Sequence, residues 1–221
     1  MSAGATALQR RFTVHVVDDD EGMRSALSRL FRSAGHSVRT FESAQAYLAE
    51  ASPDEPGCVV LDIKMPGMDG LTLQERMSER GFNAPVVFVS AHGDISASVR
   101  AMKSGAVDFL EKPFEDVDLL SAVDQAIALD AQLRERRSTN ERFRRGLESL
   151  TSREYEVMTH VIAGRLNKVI ARELDISEKT IKVHRCRVME KMEVGSLAEL
   201  VRMAERAGVL AAEPHDSAEG V

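Results

Sequence analysis

The chain has 221 residues, 43% hydrophobic and 29% charged, with 14 glycines, no tryptophan and two tyrosines. That balance fits two globular domains with aliphatic cores and excludes disordered or collagen-like chains. The net charge of −6 is uneven: residues 1–130 hold 12 basic and 20 acidic side chains, whereas residues 131–221 hold 17 and 15. An acidic front and a mildly basic rear suggest two jobs, with any polyanion contact in the rear. Cys58 and Cys186 are too few and too far apart for a disulfide framework or a cysteine zinc site. Each is expected to be a small buried hydrophobe, with redox sensing as the alternative. No apolar run reaches the roughly 18 residues of a membrane span. Residues 1–11 lack the apolar stretch of a signal peptide. A cytoplasmic protein with no membrane partner is therefore expected.

Strands are read at Phe12–Val17, Ser37–Phe41, Cys58–Leu61, Pro85–Val89 and Val107–Leu110. All but the second are nearly continuous apolar runs, as for strands buried on both faces of a parallel sheet. Helix-period segments fill the gaps: Met23–Phe31, Ala44–Ala51, Leu71–Arg80, Ser96–Lys103 and Leu119 onward. Five strand–helix units make a doubly wound, flavodoxin-like α/β domain over about 11–130. Arg134, Arg136, Arg137, Arg142, Arg144 and Arg145 then mark an exposed helical linker, 131–148, with a possible break near Ser138–Asn140.

The rear half reads as helices only. Thr151-Ser-Arg-Glu154 has the form of a capping box, opening an amphipathic helix that Gly164 ends. Asn167 is expected to cap a short helix over Lys168–Leu174. Asp175-Ile-Ser makes a tight turn, Ser177 caps a helix over Glu178–Met192, and Ser196 caps a last one over Leu197–Ala207. This is an all-α, four-helix layout with a helix-turn-helix at about 167–186, in a domain spanning 149–210. A tail over 211–221 reads as frayed.

In an open parallel sheet, chemistry gathers at the carboxyl ends of strands flanking the point where strand order reverses. With order 2-1-3-4-5, the first strand delivers Asp18, Asp19 and Asp20 to that mouth and the third delivers Asp62. Asp20 suits a helix N-cap. Asp18, Asp19 and Asp62 would raise one another's pKa unless a cation joined them, and a hard divalent ion such as Mg²⁺ is the economical one. The fourth strand ends in Ser90 and the fifth leads to Lys112. A hydroxyl, an ammonium, carboxylates and a metal around one pocket would cradle a phosphoryl group.

Val16-Val17-Asp18-Asp19-Asp20, Leu61-Asp62 through Asp69-Gly70, Ser90-Ala91-His92 and Lys112-Pro113-Phe114 resemble the receiver domain of bacterial two-component response regulators. The resemblance implies that Asp62 accepts a phosphoryl group from a sensor histidine kinase. It implies Mg²⁺ held by Asp19 directly, Asp18 through water, Asp62, and the Lys64 carbonyl. Ser90 and Phe109 fall on the switch positions and Lys112 on the phosphate-binding lysine. Phe109 lacks the hydroxyl of the commoner tyrosine, so its switching would rest on packing. A cis Lys112–Pro113 bond is also implied.

In the rear half, Ile181, His184, Val188, Met189 and Met192 fall on one face of the Glu178–Met192 helix. Lys179, Lys182, Val183 and Cys186 fall on the other, flanked by Arg185 and Arg187. Such a helix can enter the major groove, with Asn167 and Lys168 placed for phosphates. Asn167-Lys-Val-Ile-Ala171, Ile176-Ser-Glu-Lys-Thr180, Ile181-Lys-Val-His184 and Lys191-Met192 resemble the LuxR/FixJ-type DNA-binding domain. The expected DNA-contacting set is Asn167, Lys168, Lys179, Thr180, Lys182, Val183, Arg185 and Cys186. His184 is given mainly a core and capping role.

Together these readings describe a phosphorylation-dependent transcriptional regulator that binds double-stranded promoter DNA, dimerises on phosphorylation through 96–104 and 107–110, and meets RNA polymerase. A Mg²⁺-dependent phosphohydrolase would need an acid two residues past Asp62, where Lys64 stands. A dinucleotide-dependent oxidoreductase would need a glycine-rich turn after the first strand, where Asp18-Asp-Asp-Glu-Gly22 stands. A constitutive DNA binder with an inert front half would have no use for the acidic triad.

Overall fold

The computed structural model describes residues 12–91 and 95–209. The chain divides between Arg134 and Glu135 into two compact units. His92, the N-terminal residues through Arg11 and the tail expected over 211–221 lie outside the described residues.

The front unit alternates strand and helix: β1 (Thr13–Val17), α1 (Glu21–Ser33), β2 (Ser37–Phe41), α2 (Ala44–Glu50), β3 (Gly57–Asp62), α3 (Gly70–Glu79), β4 (Val86–Ser90), α4 (Ile95–Lys103), β5 (Asp108–Glu111) and the start of α5 (Asp116–Ser149). Five parallel strands lie in the order β2-β1-β3-β4-β5. Pleating sends alternate side chains to opposite faces. Val17, Val59, Leu61 and Phe88 join one core with Leu73 and Met77 of α3. Val14, Val16, Val60, Val87 and Val89 join the other, with Leu27 and Phe31 of α1 and Leu119, Val123 and Ile127 of α5. Central strands β3 and β4 are buried throughout, which is why their sequences are unbroken apolar runs. β5 departs from the expectation of two-sided burial: as an edge strand it leaves Asp108, Phe109 and Leu110 only half-buried.

A polar clip fastens α5 beneath the sheet. Asp130 Oδ2 accepts from the Gly57 amide at 2.9 Å and from Arg134 Nε at 2.7 Å. Arg134 donates onward to the carbonyls of Asp54 and Glu55. Gly57 is required there, because a Cβ on it would overlap the Thr13 backbone.

α5 is one continuous helix through Ser138–Asn140, so the expected break does not occur. Ser, Thr and Asn each cost a helix interior only a few tenths of a kcal/mol, and neither Gly nor Pro interrupts the stretch. The rear unit continues with α6 (Ser152–Ile162), α7 (Asn167–Glu173), α8 (Glu178–Lys191) and α9 (Leu197–Arg206). Val157, Met158, Ile170, Ile181, Val188, Met192 and Leu200 form its core. Phe143 joins that core, so the last turns of α5, expected to be exposed linker, pack with the rear unit. Thr151 and Glu154 form the capping box, and Ser177 and Ser196 cap α8 and α9.

Candidate functional site

Register builds the front site. Val17 pairs with Leu61, so Asp18 and Asp62 stand side by side at the carboxyl ends of β1 and β3. Asp62 pairs with Val89, which sets Ser90, buried, one step further along β4. The Lys112 amide donates to the Ser90 carbonyl at 2.7 Å, and the Lys112–Pro113 bond is cis. Lys112 Nζ then reaches between the carboxylates, 2.9 Å from Asp18 Oδ2 and 2.8 Å from Asp62 Oδ1. Asp18 is 2% exposed and Asp62 6%.

The remaining oxygens are also engaged. Asp18 Oδ1 accepts from the Asp20 amide and Asp62 Oδ2 from the Lys64 amide. Burial pushes the Asp62 pKa above the usual carboxylate range, and the Asp18 charge adds to this; the Lys112 ammonium opposes it without prevailing. Burial works against the Lys112 ammonium, yet its bonds to Asp62 and Asp18 prevail and raise its pKa. Two carboxylates therefore share one fixed cation.

Asp19 does not join them. It is exposed, and among the described residues no third acidic, His or Cys side chain completes a metal-ligand group with Asp18 and Asp62. Lys112 joins Asp18 and Asp62, while Asp19, next in the chain, stays exposed. The cause is local: Asp20 caps α1, its Oδ1 accepting from the Met23 amide. Arg24 Nη1 bonds the carbonyls of both Asp18 and Asp19, turning the chain outward after Asp18. Asp18 and Asp62 offer only oxygen donors, and the Lys64 carbonyl follows two residues past Asp62, so the residues present fit a hard divalent cation that keeps several waters.

Two contributors carried no role in the sequence reading. Arg24, one helical turn past the Asp20 cap, is one. Gly70 is the other: a Cβ on it would overlap the Asp62 carbonyl oxygen, and its amide donates to the Ile63 carbonyl at 2.9 Å. Only glycine lets α3 start this close to the Asp62 loop. Phe109, half-buried opposite Phe88, packs on the core that includes Ala97 and Ala101 of α4.

In the rear unit, α7 and α8 flank a turn in which Asp175 takes a positive φ of 52°. Arg153 of α6 donates to the Leu174 carbonyl and braces that turn. Lys191 Nζ holds buried Glu154 at 2.6 Å and the Ser149 carbonyl at 2.9 Å, tying the end of α8 to the start of α6. The Lys191 bond and the Thr151 amide lower the Glu154 pKa to about 2.

Ile181 and Val188 face the core, while Lys179, Lys182, Val183, Cys186 and Arg187 are exposed on the other face of α8. Cys186 is therefore not the buried hydrophobe expected, whereas Cys58 is. Thr180 is half-buried, its hydroxyl 2.8 Å from the Ser177 hydroxyl. Lys168 is exposed at the start of α7. Asn167 does not cap that helix: Leu166 holds the cap position without a side-chain bond, and Asn167 Oδ1 accepts from Arg185 Nη1 at 2.8 Å. His184 is half-buried, and its Nδ1 has no hydrogen-bond partner among the described residues. No helix among the described residues is long and apolar enough to cross a membrane.

Both halves of the chain match known families. Residues 14–124 match the response regulator receiver domain and residues 148–204 the LuxR family of bacterial regulatory proteins. The response regulator protein TmoT of Ectopseudomonas mendocina is 45% identical over 87% of this chain and 88% of its own length. The transcriptional regulatory protein FixJ of Bradyrhizobium diazoefficiens is 46% identical over 89% of this chain and 96% of its own. The solved structure of the response regulator StyR covers 89% of this chain and 99% of its own, at 47% identity and a TM-score of 0.79. The chain belongs to the two-component transcriptional response regulators that join a receiver domain to a LuxR-type DNA-binding domain.

Proposed function

We propose that Asp62 accepts a phosphoryl group from a sensor histidine kinase and that this event governs promoter binding by the rear unit. The observation that carries the proposal is Lys112 Nζ, fixed between Asp62 and Asp18 at the mouth of the sheet. A carboxylate oxygen of Asp62 attacks phosphorus, the P–N bond to the kinase histidine breaks, and its electron pair stays on the imidazole. Lys112 and the Ser90 hydroxyl then bind oxygens of the aspartyl phosphate. Asp18, Asp62 and the Lys64 carbonyl, with Asp19 at the rim, would hold Mg²⁺, which would supply further neutralisation of those oxygens. The chain's own chemistry is confined to gaining and losing this phosphoryl group.

Movement of Ser90 toward the phosphoryl group leaves space that Phe109 fills by packing alone. The surface of α4 and β5 changes with it. Val99 and Met102 are already exposed there, 45% and 48%, and suit pairing with a second copy. A homodimer places two α8 helices on half-sites about one helical turn apart. Lys179, Lys182, Val183 and Cys186 face the base edges; Asn167, Lys168, Thr180 and Arg185 lie on the phosphate side. Coupling of this kind amounts to about 1–3 kcal/mol, a bias rather than an absolute switch. The receiver spans about 11–130 and the DNA-binding domain 149–210, while the helical stretch 131–148 between them ends in turns whose Phe143 belongs to the rear core. The protein works in the cytoplasm beside RNA polymerase. Sedimentation velocity with a small phosphodonor tests the acceptor: the unaltered protein dimerises and Asp62→Asn stays monomeric. Dimerisation retained in Asp62→Asn contradicts the proposal.

A further inference from the structure

The α7–α8 corner holds a polar pair that surface charge alone does not require. Arg185 Nη1 donates to Asn167 Oδ1 at 2.8 Å, and both residues are half-buried. The amide oxygen that would cap α7 is committed to this bond.

Arg185 leaves α8 on a different side from the groove-facing residues. It follows Ile181 of the core by four positions, which at about 100° per residue is only about 40° round the helix. Lys182, Val183 and Cys186 lie about 100–200° from Ile181 by the same count, and all three are exposed. Arg185 therefore points along the flank next to α7, into a cleft of about 620 Å³ whose walls include Gly164, Leu166, Lys168 and Glu178. A guanidinium offers five N–H donors in a rigid planar fork. One bond to Asn167 fixes the plane of that fork and leaves the other donors available. An arginine held this way loses less rotamer freedom when it meets a phosphate than a free one.

We infer that Asn167 is a positioning residue for DNA binding: it holds the Arg185 guanidinium in place to grip a backbone phosphate and does not touch the phosphate itself. The inference rests on the reading of α8 as the helix that enters the groove. It reassigns Asn167 from independent contact to support, and leaves Arg185 as the backbone contact at this corner.

The test uses the full chain and a fluorescein-labelled, mixed-sequence duplex of about 25 base pairs, long enough for two half-sites. Anisotropy titrations are run across a salt series. Arg185→Ala weakens binding about tenfold and lowers the slope of log affinity against log salt by about 0.9, the loss of one phosphate contact. Asn167→Ala weakens binding about fivefold and leaves the slope unchanged, because the charge remains. The double variant is no weaker than Arg185→Ala alone. Arg185→Lys keeps the slope but loses affinity, since it lacks the fork. A double variant weakened about fiftyfold, the product of the singles, overturns the inference. So does an unchanged slope in Arg185→Ala, or binding losses that follow losses in melting temperature across the variants. Failure of the unaltered protein to bind the duplex at low salt is a separate result and overturns the DNA-binding reading itself.

Discussion

Replacing Lys112 with methionine keeps the length of the side chain and removes the one cation that Asp18 and Asp62 share. Both carboxylates are buried, and each loses an ion pair under 3 Å long. Removing one partner of a buried pair costs about 3–5 kcal/mol, because the other charge stays buried without compensation. Lys112 retains some solvent access, which places the expected loss near the lower end, about 3 kcal/mol. The loss should depend on pH in a defined direction. In the variant, one carboxylate of the pair has a folded pKa well above its unfolded value of about 4. The folded state then binds the extra proton, so stability rises as pH falls through that folded pKa and drops as pH rises. The unaltered protein has the Lys112 contribution in full below the ordinary lysine pKa, and loses it only as pH climbs through the raised folded value. Urea unfolding of the front unit, followed by far-UV circular dichroism from pH 5 to 8, reads both effects. A Lys112→Met protein as stable as the parent at pH 7, with no gain on acidification, refutes the reasoning.

Three further outcomes are expected. Glu154→Gln should flatten the acid dependence of rear-unit melting: the depressed Glu154 pKa adds stability above the ordinary glutamate value, lost as pH falls toward 2. Asp130→Ala strands the Gly57 amide and the Arg134 guanidinium and should cost the front unit about 3 kcal/mol in urea unfolding, with Asp130→Asn recovering part. Gly70→Ala forces α3 away from the Asp62 carbonyl; it should cost about 1–3 kcal/mol and slow phosphorylation by a small phosphodonor, read by gel mobility.

The sheet was legible because burial on two faces leaves unbroken apolar runs, as in Pro85–Val89. The order of the strands then placed Asp18, Asp62, Ser90 and Lys112 together without any side-chain information. What escaped were contacts that leave no periodic mark. Arg24 binds two carbonyl oxygens, and backbone acceptors have no residue identity to read. Asn167 looked like a cap because its type favours caps, but a cross-helix arginine competes for the same oxygen. Phe143 sits among arginines that read as solvated helix, and only the fold shows that it joins the core of Val188 and Met192. Val107–Leu110 reads as a buried apolar strand, yet β5 carries Asp108 and Glu111 and lies at the sheet's edge, where Phe109 stays half-buried. That misfit between sequence and burial falls on a residue with a proposed switching role.

The central claim is that Asp62 takes the phosphoryl group. Incubation with acetyl phosphate and Mg²⁺, followed by intact mass and peptide mapping, addresses it most directly. The account expects one added phosphoryl group, located on the peptide that contains Asp62 and absent from Asp62→Asn. Phosphorylation that persists in that variant, or maps to another residue, contradicts it.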